Sequence, residues 1–134
     1  ARVTIAGRNS EKISTLTSDL KKYYDNVSQY LLDDLDKKIM KEFDIIINTT
    51  PIGMHPDIDG IPIKEDLTSD KHAVFDIVYS PDMTRLLKTA KTKGCKIIKG
   101  IDMLIYQAVE QFQLWTGKEA PYKEIFDLLS NKIK

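Results

Sequence analysis

The sequence predicts an α/β protein with a mostly parallel, doubly wound sheet and helices on both of its faces. Short runs rich in β-branched residues alternate along the chain with stretches whose apolar residues recur at helical spacing. The most apolar run, Ile45-Ile46-Ile47, shows no alternation of apolar and polar residues, as suits a strand covered on both faces. Parallel neighbours need crossover connections, so strands separated by helices fit one such layered sheet better than antiparallel hairpins.

Taken in order, Ala1 to Ala6 alternates as a strand, and Asn9-Ser10 can cap a helix carrying Ile13, Leu16, Leu20 and Tyr23 or Tyr24. Val27 to Leu31 is a short strand, Asp33 to Glu42 has weaker helical character, and Phe43 to Asn48 is the central apolar strand. From Thr49 to Lys71 the chain carries Pro51, Gly53, Pro56, Gly60 and Pro62 and reads as one long loop; loops of that length inside a domain tend to be functional. Ala73 to Val78 is a strand, Met83 to Lys93 a helix closed by Gly94, and Lys96 to Lys99 another strand. Asp102 can cap a helix with Met103, Leu104, Ala108, Phe112 and Trp115 on neighbouring turns. Gly117 ends that helix, and Pro121 opens a last one with Ile125, Leu128 and Leu129.

The 134 residues fit one domain, and no repeat or low-complexity tract interrupts it. Lys plus Arg and Asp plus Glu stand at 20 each, so no net field draws the chain to nucleic acid or an anionic membrane, and a phosphate site must be local. One cysteine, Cys95, excludes an internal disulfide and a Cys-based zinc cluster, and beside Ile97 and Ile98 it reads as a buried thiol. No apolar run has transmembrane length and the N-terminus lacks a signal-peptide layout, so a cytoplasmic setting is expected. His55 and His72 lack spaced ligand partners; they read as solvated loop histidines, with no metal site.

In doubly wound sheets ligands bind at the carboxyl ends of the strands, which singles out four junctions. At Gly7-Arg8-Asn9, Arg8 stands where a dinucleotide fold reads the adenosine ribose and can grip a 2′-phosphate bidentately. Lys12 adds charge there, and Asn9 or Ser10 can donate hydrogen bonds while capping the helix; the plain alternative is a solvated turn. At Asn48 to Met54, Thr49 and Thr50 can contact a ribose or diphosphate, Gly53 permits close backbone approach and Met54 can line a ring pocket. The alternative there is an Asn-closed turn and a Pro-Gly loop. At Asp76 to Pro81, the Tyr79 hydroxyl can bond a polar substrate or a carboxamide, or the ring can simply pack. Asp76, inside an apolar strand, reads as satisfying backbone donors rather than as an acid or base. At Gly100 to Gln107, Met103 and Gln107 lie four apart on one helical face. Met103 offers a polarizable surface and Gln107 an amide suited to hydroxyls; otherwise one is core and the other surface.

Three segments together, Asn48-Thr-Thr-Pro-Ile-Gly-Met54, Asp76-Ile-Val-Tyr79 with Pro81 and Thr84, and Gly100-Ile-Asp-Met-Leu-Ile-Tyr-Gln-Ala108 followed by Phe112 and Trp115-Thr-Gly117, resemble the shikimate dehydrogenase family in order and spacing. The resemblance spans nearly the whole chain. It implies a Rossmann-like fold and a two-domain enzyme that reduces 3-dehydroshikimate to shikimate with NADPH in aromatic amino-acid synthesis. It also implies that Arg8 takes the 2′-phosphate, that Thr49 through Met54 border NADP(H), that Val78, Tyr79, Gly100 and Met103 lie near nicotinamide and substrate, and that Gln107 contacts substrate.

The chain departs from the family pattern in having Gly7-Arg8-Asn9 where Asn-Arg-Thr is usual. The family's first strand with its Gly-rich phosphate loop, and the substrate domain with its catalytic Lys and Asp, have no counterpart in these residues. Residues 1–134 are accordingly expected to form a single, partial NADP-binding domain, inactive alone: either a fragment, from truncation or proteolysis, or a chain that self-associates to cover an exposed sheet edge. Quinate is an alternative substrate within that class. A stand-alone interaction or regulatory module without catalysis is the alternative from another class.

Overall fold

The computed structural model describes residues 1–132, with side chains through residue 129, and the chain forms two compact units, Ala1–Glu42 and Phe43–Lys134. In the first unit β1 (Val3–Gly7) leads to α1 (Ser10–Lys21), β2 (Val27–Leu31), a 3-10 turn at Leu32–Asp34 and α2 (Lys37–Met40). β1 and β2 pair in parallel, Val3 opposite Val27 and Gly7 opposite Leu31. α1 starts at Ser10 because Asn9 is extended and its Oδ1 accepts from the Lys12 amide at 2.9 Å. A Cβ at Gly7 would stand 3.1 Å from Cγ1 of Ile13, so a residue without a side chain lets the helix pack back on its strand. Asp36 caps α2, its Oδ1 accepting from the Lys38 and Ile39 amides at 2.8 Å. Ile13, Thr17, Val27, Leu35 and Met40 are buried.

The second unit runs β3 (Ile45–Asn48), a long loop holding a 3-10 turn at Glu65–Leu67, β4 (Ala73–Asp76), α3 (Arg85–Thr92), β5 (Lys96–Ile98), α4 (Gly100–Thr116) and α5 (Tyr122–Lys132). Its sheet has the order β3-β4-β5, all parallel, with Ile46, Val74 and Ile97 in register across one face. On that face Val74, Leu86, Leu87, Ala90 and Cys95 form the core, with Ile46, Ile61, Ile63, Met83 and Ile97 packed around it. Thr84 caps α3 through its hydroxyl oxygen, and Gly94, at φ +79°, takes the left-handed turn into β5. The long loop is tied to α3: Arg85 bonds Glu65 Oε1 through Nε at 2.9 Å and the Asp59 carbonyl through Nη1 at 3.0 Å, and Lys93 Nζ donates to the Glu65 carbonyl.

The α/β class and the parallel pairing agree with the sequence reading, while the strands form two sheets, β1-β2 and β3-β4-β5, rather than one. Three expectations change. β3 is not covered on both faces: it is the edge of its sheet, and Ile45 and Ile47 are 60% and 53% exposed. His72 is not a solvated loop histidine; it is buried just before β4, and its Nδ1 accepts from the Ser69 amide at 2.9 Å. Asp102 is not the cap of α4, which begins two residues earlier at Gly100 behind an extended Lys99 and keeps Asp102 in its first turn, where a carboxylate suits the positive end of the helix. Among the described residues, no helix is long and apolar enough to cross a membrane, and no cluster of His, Cys, Asp and Glu is placed to hold a metal ion.

Burial pushes the Cys95 thiol up from its ordinary range, against smaller opposing effects of a backbone hydrogen bond and Lys93. As a protonated thiol it donates to the Ser69 carbonyl at 3.0 Å. Alkylation of Cys95 by iodoacetamide at pH 7.5 is therefore expected to be slow in the folded protein and fast in urea, read by mass spectrometry. Because the folded state holds this proton more tightly, its contribution to stability is present below the unfolded thiol's ionisation range and is lost as pH rises above it. Leu87→Ala, which empties a fully buried core position, should cost about 2–5 kcal/mol in urea unfolding.

Candidate functional site

Parallel strands send their polar junctions to one end of each sheet. In the first unit that end carries Arg8, directly after β1, exposed and without a hydrogen-bond or ion-pair partner among the described residues. Lys12 is likewise exposed one turn into α1. Asn9 spends its side-chain oxygen on the cap, which leaves its NH₂ group, a donor only, facing outward. Two cations and an amide donor at a helix N-terminus suit an anionic oxygen cluster such as a phosphate. Two hollows of about 400 and 520 Å³ lie along α1, both lined by Glu11 and Thr15 and the first also by Lys12, and Arg8 lines neither. They are open, partly acidic surface and a poor fit to a nucleotide.

In the second unit the ends of β3 and β4 are joined by a buried polar network. Asn48 Nδ2 donates to Asp76 Oδ1 at 2.9 Å and to the Ile52 carbonyl at 3.3 Å. Asn48 Oδ1 accepts from the Thr50 amide at 3.0 Å and the Thr50 hydroxyl at 2.7 Å, and Thr50 Oγ1 accepts from the Ile52 amide. Asp76 also accepts from the Val78 amide through Oδ1 at 3.1 Å and from the Thr84 hydroxyl through Oδ2 at 2.7 Å. Asp76 thus satisfies backbone and side-chain donors, as its place in an apolar strand suggested. The Thr50 hydroxyl is committed to the loop, whereas Thr49 is exposed and free to meet a ligand. Gly53 sits at φ +95°, a conformation that favours glycine, and hands the chain to a 44% exposed Met54.

On the neighbouring junction Val78 is buried and Tyr79 is 43% exposed, its hydroxyl without a partner among the described residues. A Cβ at Gly100 would fall 2.5 Å from the Ile77 carbonyl oxygen and 2.6 Å from that of Val78. Only glycine lets the start of α4 press against the end of β4. Met103 is half-buried and Gln107 exposed on the following turns. Lys99 Nζ meets Asp82 Oδ2 at 2.6 Å, tying the junction after β5 to the one after β4.

Known proteins match this arrangement. The family model described as the Shikimate 5'-dehydrogenase C-terminal domain matches residues 100–125. The NADP(+) shikimate dehydrogenase of Methanosarcina barkeri is 44% identical over 124 residues, which cover 90% of this chain and 44% of that protein. The chain belongs to the shikimate dehydrogenase family. Among solved structures, a shikimate dehydrogenase in complex with NADP+ superposes with a TM-score of 0.86 at 35% identity, covering 99% of this chain and 47% of the other. The quinate dehydrogenase of Corynebacterium glutamicum in complex with NAD superposes with a TM-score of 0.83 at 26% identity, over 94% of this chain and 45% of the other. The chain therefore spans a little under half the length of the shikimate dehydrogenases it matches.

Sequence reading found the four junctions but missed two features. Thr84 was assigned no role, because the apolar Met83 suggested an earlier helix start; a Thr immediately before Arg85-Leu86-Leu87 was the available capping signal. The Lys99–Asp82 pair joins residues 17 apart in the chain, and nothing local marks it. Gly100→Ala forces backbone to move rather than a flexible side chain, so a loss of about 1–3 kcal/mol is expected in thermal unfolding, with Gly117→Ala, whose added Cβ meets nothing within 4 Å, as the strain-only comparison.

Proposed function

We propose that this chain is the NADP(H)-binding, C-terminal part of a two-domain shikimate dehydrogenase, whose intact form interconverts 3-dehydroshikimate and shikimate. The observation that carries the reading is the Arg8 guanidinium at the carboxyl end of β1, a cation with no acceptor among the described residues where a 2′-phosphate needs one. Relatives crystallised with NADP+, and with NADP(H) and shikimate, support it. The donor set fits the cofactor: Arg8, Lys12 and the Asn9 amide for the 2′-phosphate; Thr49 and Gly53 for the ribose and diphosphate region, with Thr50 holding their loop rather than donating to the ligand; Met54, Val78 and Met103 as apolar surfaces for a flat ring, with Gly100 setting how closely α4 meets the segment after β4.

When bound, the nicotinamide supplies the hydride. The chain's own residues orient and exclude. Val78 and Met103 shield the ring from water, and Gly100 lets the start of α4 close on the segment after β4. The Tyr79 hydroxyl and the Gln107 amide, which can donate and accept at once, bond the substrate's hydroxyls or carboxylate. No residue of this chain is given the proton transfer, which falls to the substrate domain of the intact enzyme. An NAD-linked quinate dehydrogenase is the second reading, supported by the likeness to the Corynebacterium protein.

The test is a spectrophotometric assay of the intact protein at 340 nm with shikimate or quinate and NADP+ or NAD+. Faster turnover with shikimate and NADP+ is expected; a preference for quinate and NAD+ would establish the second reading, and no turnover with any pair would sink the proposal. Arg8→Ala should weaken NADPH binding by at least tenfold and NADH binding by less than about threefold, since only NADPH carries the 2′-phosphate. Equal losses for both cofactors in calorimetric titration would remove Arg8 from that role.

A further inference from the structure

The hydride-transfer reading leaves the buried carboxyl of Asp76 unused. Asp76 is fully buried, and each of its three hydrogen bonds is one that it accepts, from Asn48 Nδ2, the Val78 amide and Thr84 Oγ1. The three donors belong to three segments: the end of β3 that opens the Thr49–Met54 loop, the chain leaving β4 toward Tyr79, and the N-cap of α3. We infer that Asp76 is a positioning residue that locks the loop after β3 and the segment after β4 into one arrangement. Its kinetic consequence rests on the cofactor reading above; its geometric claim does not.

The chain of contacts runs without a gap from the carboxylate to the ligand-facing backbone. Asn48, oriented by Asp76, holds the Thr50 amide and hydroxyl and the Ile52 carbonyl, and so sets the turn that ends in Gly53. Gly53 lies against Thr84, its Cβ position 3.5 Å from Thr84 Cβ, and the Thr84 hydroxyl both donates to Asp76 and accepts from the Leu87 amide. Two obligate donors, the Asn48 amide and the Val78 N–H, meet Oδ1, and the Thr84 hydroxyl, whose oxygen already accepts from the Leu87 amide, turns its proton to Oδ2; a carboxylate accepts all three, whereas a carboxamide sets an NH₂ group against one of them. A general acid or base needs a path to substrate; Asp76 has none, being enclosed by its own donors.

The experiment compares Asp76→Asn, Thr84→Val and Thr84→Ser in the intact protein by hydrogen exchange and by NADPH kinetics. Asp76→Asn is expected to speed exchange of the Thr50, Ile52 and Val78 amides on the order of tenfold while Val74 and Ala90, core positions outside the network, keep their protection. It should raise KM for NADPH on the order of tenfold with the pH profile of kcat/KM unmoved. Thr84→Val should loosen the same amides, and Thr84→Ser, which keeps the hydroxyl, should restore them. Wild-type exchange at Thr50 and Val78 in both Asp76→Asn and Thr84→Val overturns the inference, as does a shifted pH profile, which would make Asp76 an acid or base. If Asp76→Asn fails to fold, the Thr84 pair decides by the same amides. If the wild-type protein binds no NADPH, the cofactor reading falls while the exchange data still decide the positioning role.

Discussion

Parallel pairing is the constraint on which the rest of the structure depends. Each described strand pair runs in parallel, so each strand must be followed by a crossing segment before its neighbour begins. The crossings of both units leave from the carboxyl ends, which is why Arg8, Asn48, Tyr79 and Gly100 all stand at strand exits. An antiparallel arrangement of the same strands would scatter those residues to opposite ends. Within the second unit Asn48, Tyr79 and Gly100 thereby come to one end of a single sheet without any need for proximity in sequence.

Magnitudes rank the interactions that hold the second unit's exits. The Lys99–Asp82 pair is about one-third exposed at each partner, and pairs of that kind contribute roughly 0–1 kcal/mol. The Arg85–Glu65 pair is half-exposed and falls in the same range. Each hydrogen bond to the enclosed Asp76 carboxylate belongs to the charged class, about 1.5–3 kcal/mol, and loss of any one leaves a buried polar group unmatched. The buried network therefore dominates the shape of the exits, and the surface pairs trim the long loop onto α3.

The strands were legible where pattern and packing agree. Val27–Leu31 keeps the bounds its sequence suggests, and Gly94 and Gly117 end α3 and α4 through the left-handed conformations that glycine favours. Legibility failed where the deciding partner is distant. The Ile45-Ile46-Ile47 run reads as a strand buried on both faces, yet burial depends on what lies beside β3, and its edge position leaves two of the three isoleucines exposed. His72 looks like a loop histidine until the Ser69 turn folds over it. At the candidate site, residue types and spacing put Arg8, Gly53 and Gly100 at strand exits, where the structure has them, whereas the different commitments of Thr49 and Thr50 follow from which hydroxyl Asn48 captures, a fact of geometry alone.

The central proposal is that the strand exits of each unit carry contacts to the cofactor, and ¹⁵N–¹H correlation spectra of the protein titrated with NADPH test it most directly. The account predicts saturable shifts confined to the amides of Arg8 to Lys12, Thr49 to Met54, Val78 to Tyr79 and Gly100 to Met103, with the core amides of Val74 and Leu87 unmoved. Shifts concentrated along the outer face of α1 or on α5, or no shifts at millimolar NADPH, would contradict it.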